Sequence, residues 1–292
     1  MRIAILIKQI PAVEAMELGP EGRLVRDAVR LEMNAYCRRA VSLGVELAKA
    51  DEESTTTVFT LGPLSALDVI REAVGWGVDE GVLVSDPHFA GSDTVATTKA
   101  LTAAVAHRGT FDLILVGRNS LDADTGQVGP GIAELFGWSF LPSVKEFSLD
   151  GEIVTALCEE DDGETERVAA LPLVVACAER LIEPCKVKPD GWPELGDPRI
   201  TTVGAAAIGV GPWGAAASPT TVGEIRVHES KREQVTLEGP PSETVTTAVS
   251  LLERRGAFDV PKEHDAHDSD VEQLRGTSTR RIGVVVEPDR PA

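Results

Sequence analysis

Leu113-Ile114-Leu115-Val116, followed shortly by Asp122-Ala123-Asp124-Thr125-Gly126-Gln127-Val128-Gly129-Pro130, passes from an apolar run into a loop of small and hydroxyl residues. An amphipathic run begins near Ile132. Strand, small-residue loop and helix start make an anion cradle, because main-chain N–H groups at a helix N-terminus point into the loop with partial positive charge. Gly126 and Gly129 allow close backbone approach, and Thr125 and Gln127 can donate hydrogen bonds to phosphate oxygens or nucleoside hydroxyls. The spacing matches neither GxGxxG nor GxxxxGK[ST]. An ordinary loop with an Asp capping a helix is the alternative reading of the same residues.

Outward from this loop the chain alternates. Strands are expected at Ile3 to Ile7, Thr56 to Leu61, Gly81 to Ser85 and Leu113 to Val116. Helices are expected at Ala35 to Ala50, Ser65 to Val74 with Ser65 as N-cap, and Asp93 to His107. The order βαβαβαβ implies an α/β fold with a doubly wound, mostly parallel, Rossmann-like sheet. Right-handed crossovers gather the strands' carboxyl ends at one edge, where ligands bind at a switch in strand order. The loops after Ile7, Leu61 and Val116 meet there.

Beyond a helix ending at Phe136, Val144 to Leu149 and Ile153 to Leu157 read as a hairpin turning at Asp150-Gly151. Glu159 to Glu166 reads as a charged loop, and Val168 to Ala176 as one strand interrupted by Pro172. Residues 1–183 form the expected nucleotide-binding domain. Pro184 to Pro219 is rich in Pro, Gly and Ala without periodicity, which reads as an arm lying on a partner or as a linker. Ser242 to Arg255 regains helical periodicity and closes the arm at residue 256. Residues 257–292 read as an acidic, disordered tail in which Arg281 to Val286 is an isolated apolar tag.

A formal net charge of −19 opposes affinity for nucleic acid or an anionic membrane, since counterion release needs a basic surface. No segment approaches the ~20 apolar residues of a membrane span, and the N-terminus reads as a strand, not a leader, so a soluble, cytoplasmic protein is expected. Cys37, Cys158, Cys177 and Cys185 lack metal or disulfide spacing and read as buried thiols. With 4% aromatics, the chain has little ring surface for a flavin, so a redox cofactor needs another chain. Asp122 and Asp124 read as loop caps rather than metal ligands. His264 and His267 read as solvated residues, and Ser120 lacks the context of a nucleophile. Lys8 either meets an anion at the sheet edge or ends a strand in water. Asn34 opens a helix, where an amide can cap it and face a ligand.

Ile7-Lys8-Gln9-Ile10-Pro11, Asn34-Ala35-Tyr36-Cys37, Leu61-Gly62-Pro63, Asp112-Leu113-Ile114-Leu115 before the small-residue loop, and Leu171-Pro172 with Arg180-Leu181-Ile182-Glu183-Pro184 occur in order. Over roughly residues 1 to 256 this set resembles the β subunit of electron transfer flavoproteins, the FixA-like family. The resemblance implies an adenine nucleotide α-hydrolase-like fold and a heterodimer with an α subunit that holds most of a redox FAD. It also implies a second nucleotide in the β subunit, AMP in housekeeping members or a second FAD in bifurcating ones. Carried over by motif, its contacts are Leu6, Asn34, Ala35, Tyr36, Cys37, Leu61, the loop from Asp122 to Pro130, and Gly131, Ile132, Ala133 and Glu134.

The family's partner-docking loop follows the Glu-Pro pair. Here that region carries Cys185-Lys186-Val187-Lys188-Pro189 and Trp192-Pro193-Glu194-Leu195, and Ile200 to Gly214 has no lysine where the family has a lysine-rich helix. Val187 or Leu195 is the expected anchor for a flavin-dependent dehydrogenase or another dedicated oxidoreductase. The other class is a stand-alone adenylating enzyme or nucleotide sensor of this fold, but neither an SGGxDS-type nor a HIGH-type loop occurs.

Overall fold

Strands rich in β-branched residues, such as Thr55–Leu61, alternate with helices, among them one that buries every residue from Ala40 to Val45, and the sheet grows from that alternation. The computed structural model describes residues 1–16, 19, 25, 29–161, 163–223 and 235–258. The strands are β1 (Arg2–Leu6), β2 (Gln9–Pro11), β3 (Leu31–Met33), β4 (Thr55–Leu61), β5 (Glu80–Val84), β6 (Leu113–Gly117), β7 (Ser139–Asp150), β8 (Ile153–Glu160), β9 (Gly163–Ala170), β10 (Leu173–Cys177) and β11 (Ile200–Val203). The helices are α1 (Ala35–Ala50), α2 (Leu67–Trp76), α3 (Thr94–His107), α4 (Val128–Phe136), α5 (Ala205–Ile208) and α6 (Pro241–Arg254).

Nine strands form one sheet in the order β11-β5-β4-β1-β6-β10-β7-β8-β9. The pairs from β11 to β7 are parallel, and β7-β8 and β8-β9 are antiparallel. Helices α1 and α2 cover one face through Ala40, Val41, Val69 and Ile70 packed with Ile3, Ile5 and Leu115. Helices α3 and α4 cover the other through Leu101, Val105 and Ile132 packed with Phe59, Ile114 and Val116. Each such aliphatic or aromatic side chain stabilises the fold by about 1.5–3 kcal/mol on full burial. The chain runs from β1 to one side (β4, β5) and later from β6 to the other (β10), so the switch in order lies between β1 and β6. The doubly wound α/β architecture agrees with the sequence reading.

Four local expectations need correction. Glu159 to Glu166 is not a loop: it forms the end of β8 and the start of β9, because Glu160 pairs with Arg167 and Glu164 with Lys145 across the ladders. The single strand expected at Val168 to Ala176 is two, β9 and β10, since Pro172 has no N–H for a ladder. Ser65 caps nothing; it lies in a 3-10 turn, Leu64–Ala66, and its hydroxyl donates to Gln9 Oε1 at 3.3 Å. Within the segment expected to lie as an arm, β11 extends the chain's own sheet on β5 and α5 buries Ala205 and Ile208.

Carboxylates explain that last packing. Asp86 accepts from Ala205 N at 3.0 Å, and Asp93 caps α3 at Ala96 N (2.9 Å) while accepting from the N–H and hydroxyl of Thr220. The antiparallel ribbon β2-β3 was not legible in sequence. The chain divides into Met1–Ile225 and Arg226–Ala292. In the second unit α6 matches the expected helix, and its Val245, Val249 and Leu252 are exposed. The two tail histidines and the tag at 281–286 lie outside the described residues.

Candidate functional site

At the carboxyl end of β1 and β6 the chain builds a loop, residues 118–127, leading into α4. Its shape is imposed from neighbouring elements. Asn34, at the start of α1, is wholly buried and makes no cap bond to its own helix. Its Nδ2 donates to Asn119 O at 2.8 Å and its Oδ1 accepts from Leu121 N at 3.1 Å. The expected capping role is thus replaced by a clamp on the loop. Lys8 follows β1, and its Nζ pairs with Asp122 Oδ1 at 2.7 Å and donates to Ser120 Oγ at 3.2 Å. The Asp122 side chain is only 1% exposed. A carboxylate so covered needs a charged partner, and Lys8 supplies it.

Inside the loop, Asp124 N donates to Ser120 O at 2.7 Å and Asn119 Nδ2 donates to Asp124 Oδ1. These bonds hold Asp124 at φ +48° and precede Gly126 at φ +61°. Asn119 Oδ1 is buried with no hydrogen-bond partner among the described residues. Thr94 Oγ1, on the first turn of α3, donates to Gln127 Oε1 at 2.9 Å, tying the N-termini of α3 and α4 together. The first N–H groups of α4 have no intrahelical acceptor, and the helix dipole adds positive potential there.

Helix α4 begins at Val128, four residues before the sequence reading placed it, so Gly129 and Pro130 lie in its first turn. A Cβ on Gly129 would stand 2.9 Å from Val116 Cγ2 and 3.3 Å from Phe140 Cε2. Helix-on-sheet packing thus accounts for the missing side chain, and the Gly129 N–H remains in the first turn of α4. Gly117 was missed by sequence reasoning: a Cβ there would meet Cys37 N at 2.9 Å, so its absence lets α1 start directly over the end of β6. Asn119, Ser120 and Thr94 were missed too. Asn and Ser opening a loop are turn formers, and that was the available signal for two of them.

The remaining expected contacts divide by burial. Leu6, Cys37, Ile132 and Ala133 place their side chains in the core. Ala35, Tyr36, Leu61 and Gly131 are half-buried, and Ala123, Thr125, Gln127, Pro130 and Glu134 are exposed. Val187 is half-buried and Leu195 is 70% exposed. All four cysteines are free and buried. Burial raises the Cys37 thiol above its ordinary range and pushes Cys185 up to about 12, so neither is a ready thiolate. No group of acidic, His or Cys side chains suited to a metal occurs among the described residues, and no described helix is long and apolar enough to cross a membrane.

Hollows among the described residues include one on either side of the strand ends. One of about 580 Å³, lined by Leu43, Asp51, Asp112, Phe147 and Pro172 among others, opens at the amino ends of the strands. The other, about 600 Å³, lies beside Arg39 and Arg180 to Pro184, after β10. Ligands of doubly wound sheets bind outside the carboxyl ends of strands at the switch point, which here is the 118–127 loop.

Residues 22–208 match the electron transfer flavoprotein domain family. The chain belongs to the electron transfer flavoprotein family. It is 31% identical over 234 residues to an electron transfer flavoprotein subunit beta of Megasphaera elsdenii, covering 77% of this chain and 87% of that one. It is 29% identical over 225 residues to the caffeyl-CoA reductase-Etf complex subunit CarD of Acetobacterium woodii, covering 76% and 86%. A FixA protein of Azorhizobium caulinodans is 35% identical over 188 residues, covering 61% and 66%. This chain is therefore an electron transfer flavoprotein β-like protein, and its role is that of an electron-transfer subunit.

Proposed function

We propose that this β-like subunit pairs with an electron transfer flavoprotein α subunit, holds an adenine nucleotide (AMP or a second FAD) at the 118–127 loop, and shapes the cleft around the α subunit's FAD. The loop's clamping by Asn34 and Lys8 carries this reading. A loop fixed from two other elements before a ligand arrives loses little freedom on binding, which is how a weakly charged seat can hold a nucleotide. The donor set fits. Phosphate oxygens would meet the first-turn N–H groups of α4 and the Thr125 hydroxyl, and the unpartnered Asn119 Oδ1 would accept from a ribose hydroxyl or the adenine amino group. Lys8, neutralised by Asp122, orders the loop instead of supplying net charge.

FAD, when bound, supplies one- and two-electron chemistry that no side chain here can perform. The β chain's task is to bind and orient. Relatives named as a caffeyl-CoA reductase-Etf complex subunit and an acryloyl-CoA reductase electron transfer subunit support a dedicated oxidoreductase as electron donor or acceptor. Val187 or Leu195 would anchor that partner, and the exposed stripe of α6 would pack on the α subunit. Hydrogen exchange of the nucleotide-stripped chain, with and without added AMP or FAD, tests the seat. Protection should rise in peptides spanning 34–37 and 119–131; unchanged exchange there with either nucleotide would remove the assignment.

A further inference from the structure

After Pro184 the chain is fastened to the face of α1 and α2 by a buried ion pair. Arg38, on α1, meets Glu72, on α2, with Nη1 2.5 Å from Oε1, and both side chains are nearly covered. Burial alone would lower the Arg38 pKa, but its bond to Glu72 holds it above the ordinary value. The pair also grips the following segment. Arg38 Nη1 donates to Cys185 O at 3.0 Å, Val187 N donates to Glu72 Oε1 at 3.4 Å, and Cys185 N donates to Arg38 O at 3.2 Å.

Further along, Trp192 Nε1 donates to Val187 O at 2.9 Å, closing the segment on itself. Arg71 Nε donates to Pro193 O at 2.8 Å, with its guanidinium 5.5 Å from the Trp192 ring. Gly75 lets the segment lie flat, since a Cβ there would stand 2.7 Å from Gly191 O. What this fastening leaves outward is Leu195 together with exposed Lys186 and Lys188, which make no ion pair among the described residues of a chain with net charge −19. Exposed Asp190 and Glu194 balance those two lysines, so the fastened segment offers an exposed leucine within a charge-balanced surface, suited to a partner with an apolar pocket.

We infer that Arg38 and Glu72 are positioning residues: their buried pair sets the conformation of residues 185–193 and so the affinity for the partner oxidoreductase. This rests on the reading of Val187 and Leu195 as partner anchors. A buried ion pair contributes little net stability compared with apolar residues of similar size, whereas removing one member leaves an uncompensated charge. Its distinctive contribution here is geometric, because it bonds main-chain atoms of a third element that apolar side chains could not hold.

The test uses the co-expressed heterodimer and a panel of substrate-reduced acyl-CoA dehydrogenases as electron donors. The Arg38→Met/Glu72→Leu double variant removes the pair without stranding a charge, and Glu72→Gln provides a milder comparison. In the double variant we expect nucleotide content to be retained and hydrogen-exchange protection at residues 187–192 to fall about tenfold. We expect the apparent KM for the donor to rise about fivefold or more with kcat within about twofold. Leu195→Ala should raise KM while leaving that exchange unchanged. Unchanged exchange, or unchanged KM in the double variant while Leu195→Ala raises it, overturns the positioning role. Unchanged KM in both the double and the Leu195→Ala variants overturns the partner surface itself, and the inference with it.

Discussion

Replacing Asn34 with Ala removes two hydrogen bonds to the 118–127 loop, 2.8 Å to Asn119 O and 3.1 Å to Leu121 N. Each has a net worth of about 1 kcal/mol, and each main-chain group left dry costs about 1–3 kcal/mol. Leu121 is 41% exposed, so water can reach its N–H once the loop loosens, and one desolvation penalty applies instead of two. A stability loss of about 2–4 kcal/mol follows, measurable as a shift in urea midpoint at constant slope. The loop must then be re-ordered by the nucleotide. If that costs about 2 kcal/mol, affinity falls about 30-fold. Isothermal titration of the nucleotide-stripped chain with AMP and FAD reads this directly. Lost stability with unchanged affinity would show that Asn34 braces the fold but not the seat, refuting the clamp.

Lys8→Met should leave Asp122 under-compensated and loosen the same loop; with Lys8 itself 40% exposed, a cost of about 1–2 kcal/mol is expected in urea unfolding, together with weaker nucleotide binding. Gly129→Val should lower thermal stability by about 1–3 kcal/mol through its clash with Val116 and Phe140, whether or not nucleotide is present. Bonds from the His88 N–H, the His88 ring and Ala205 N hold Asp86 at about 2 against an ordinary 3.8. A depressed carboxylate stabilises the fold above its unfolded pKa, so the hold on α5 should weaken as pH falls from 3.8 through about 2, seen as faster exchange in residues 204–208. Asp86→Asn should abolish that pH dependence.

The layered α/β architecture was legible because its signals are local: apolar strands, helical periodicity and Gly-Pro breaks recur in order. The edge strand Ile200–Val203 was not, since its Ile-Thr-Thr-Val pattern is short, its two threonines are exposed, and its pairing partner β5 is more than a hundred residues away in sequence. The β8-β9 hairpin was hidden by its charge. Acidic residues normally mark loops, and here they are held in a ladder by Arg167 and Lys145. At the candidate site, the loop's position at the sheet edge followed from strand order, but its fastening did not. Asn34 and Asn119, or Lys8 and Asp122, are far apart in sequence, and only tertiary structure reveals such pairings. At Gly129, sequence cannot distinguish close approach by a ligand from close approach by Phe140.

The bound nucleotides of the freshly purified heterodimer, released by acid and separated by chromatography, report most directly on whether this chain carries an adenine nucleotide of its own. We expect AMP or a second FAD in amounts matching the β-like chain, in addition to the α subunit's FAD. Recovery of that single FAD and no other adenine-containing molecule would contradict the assignment.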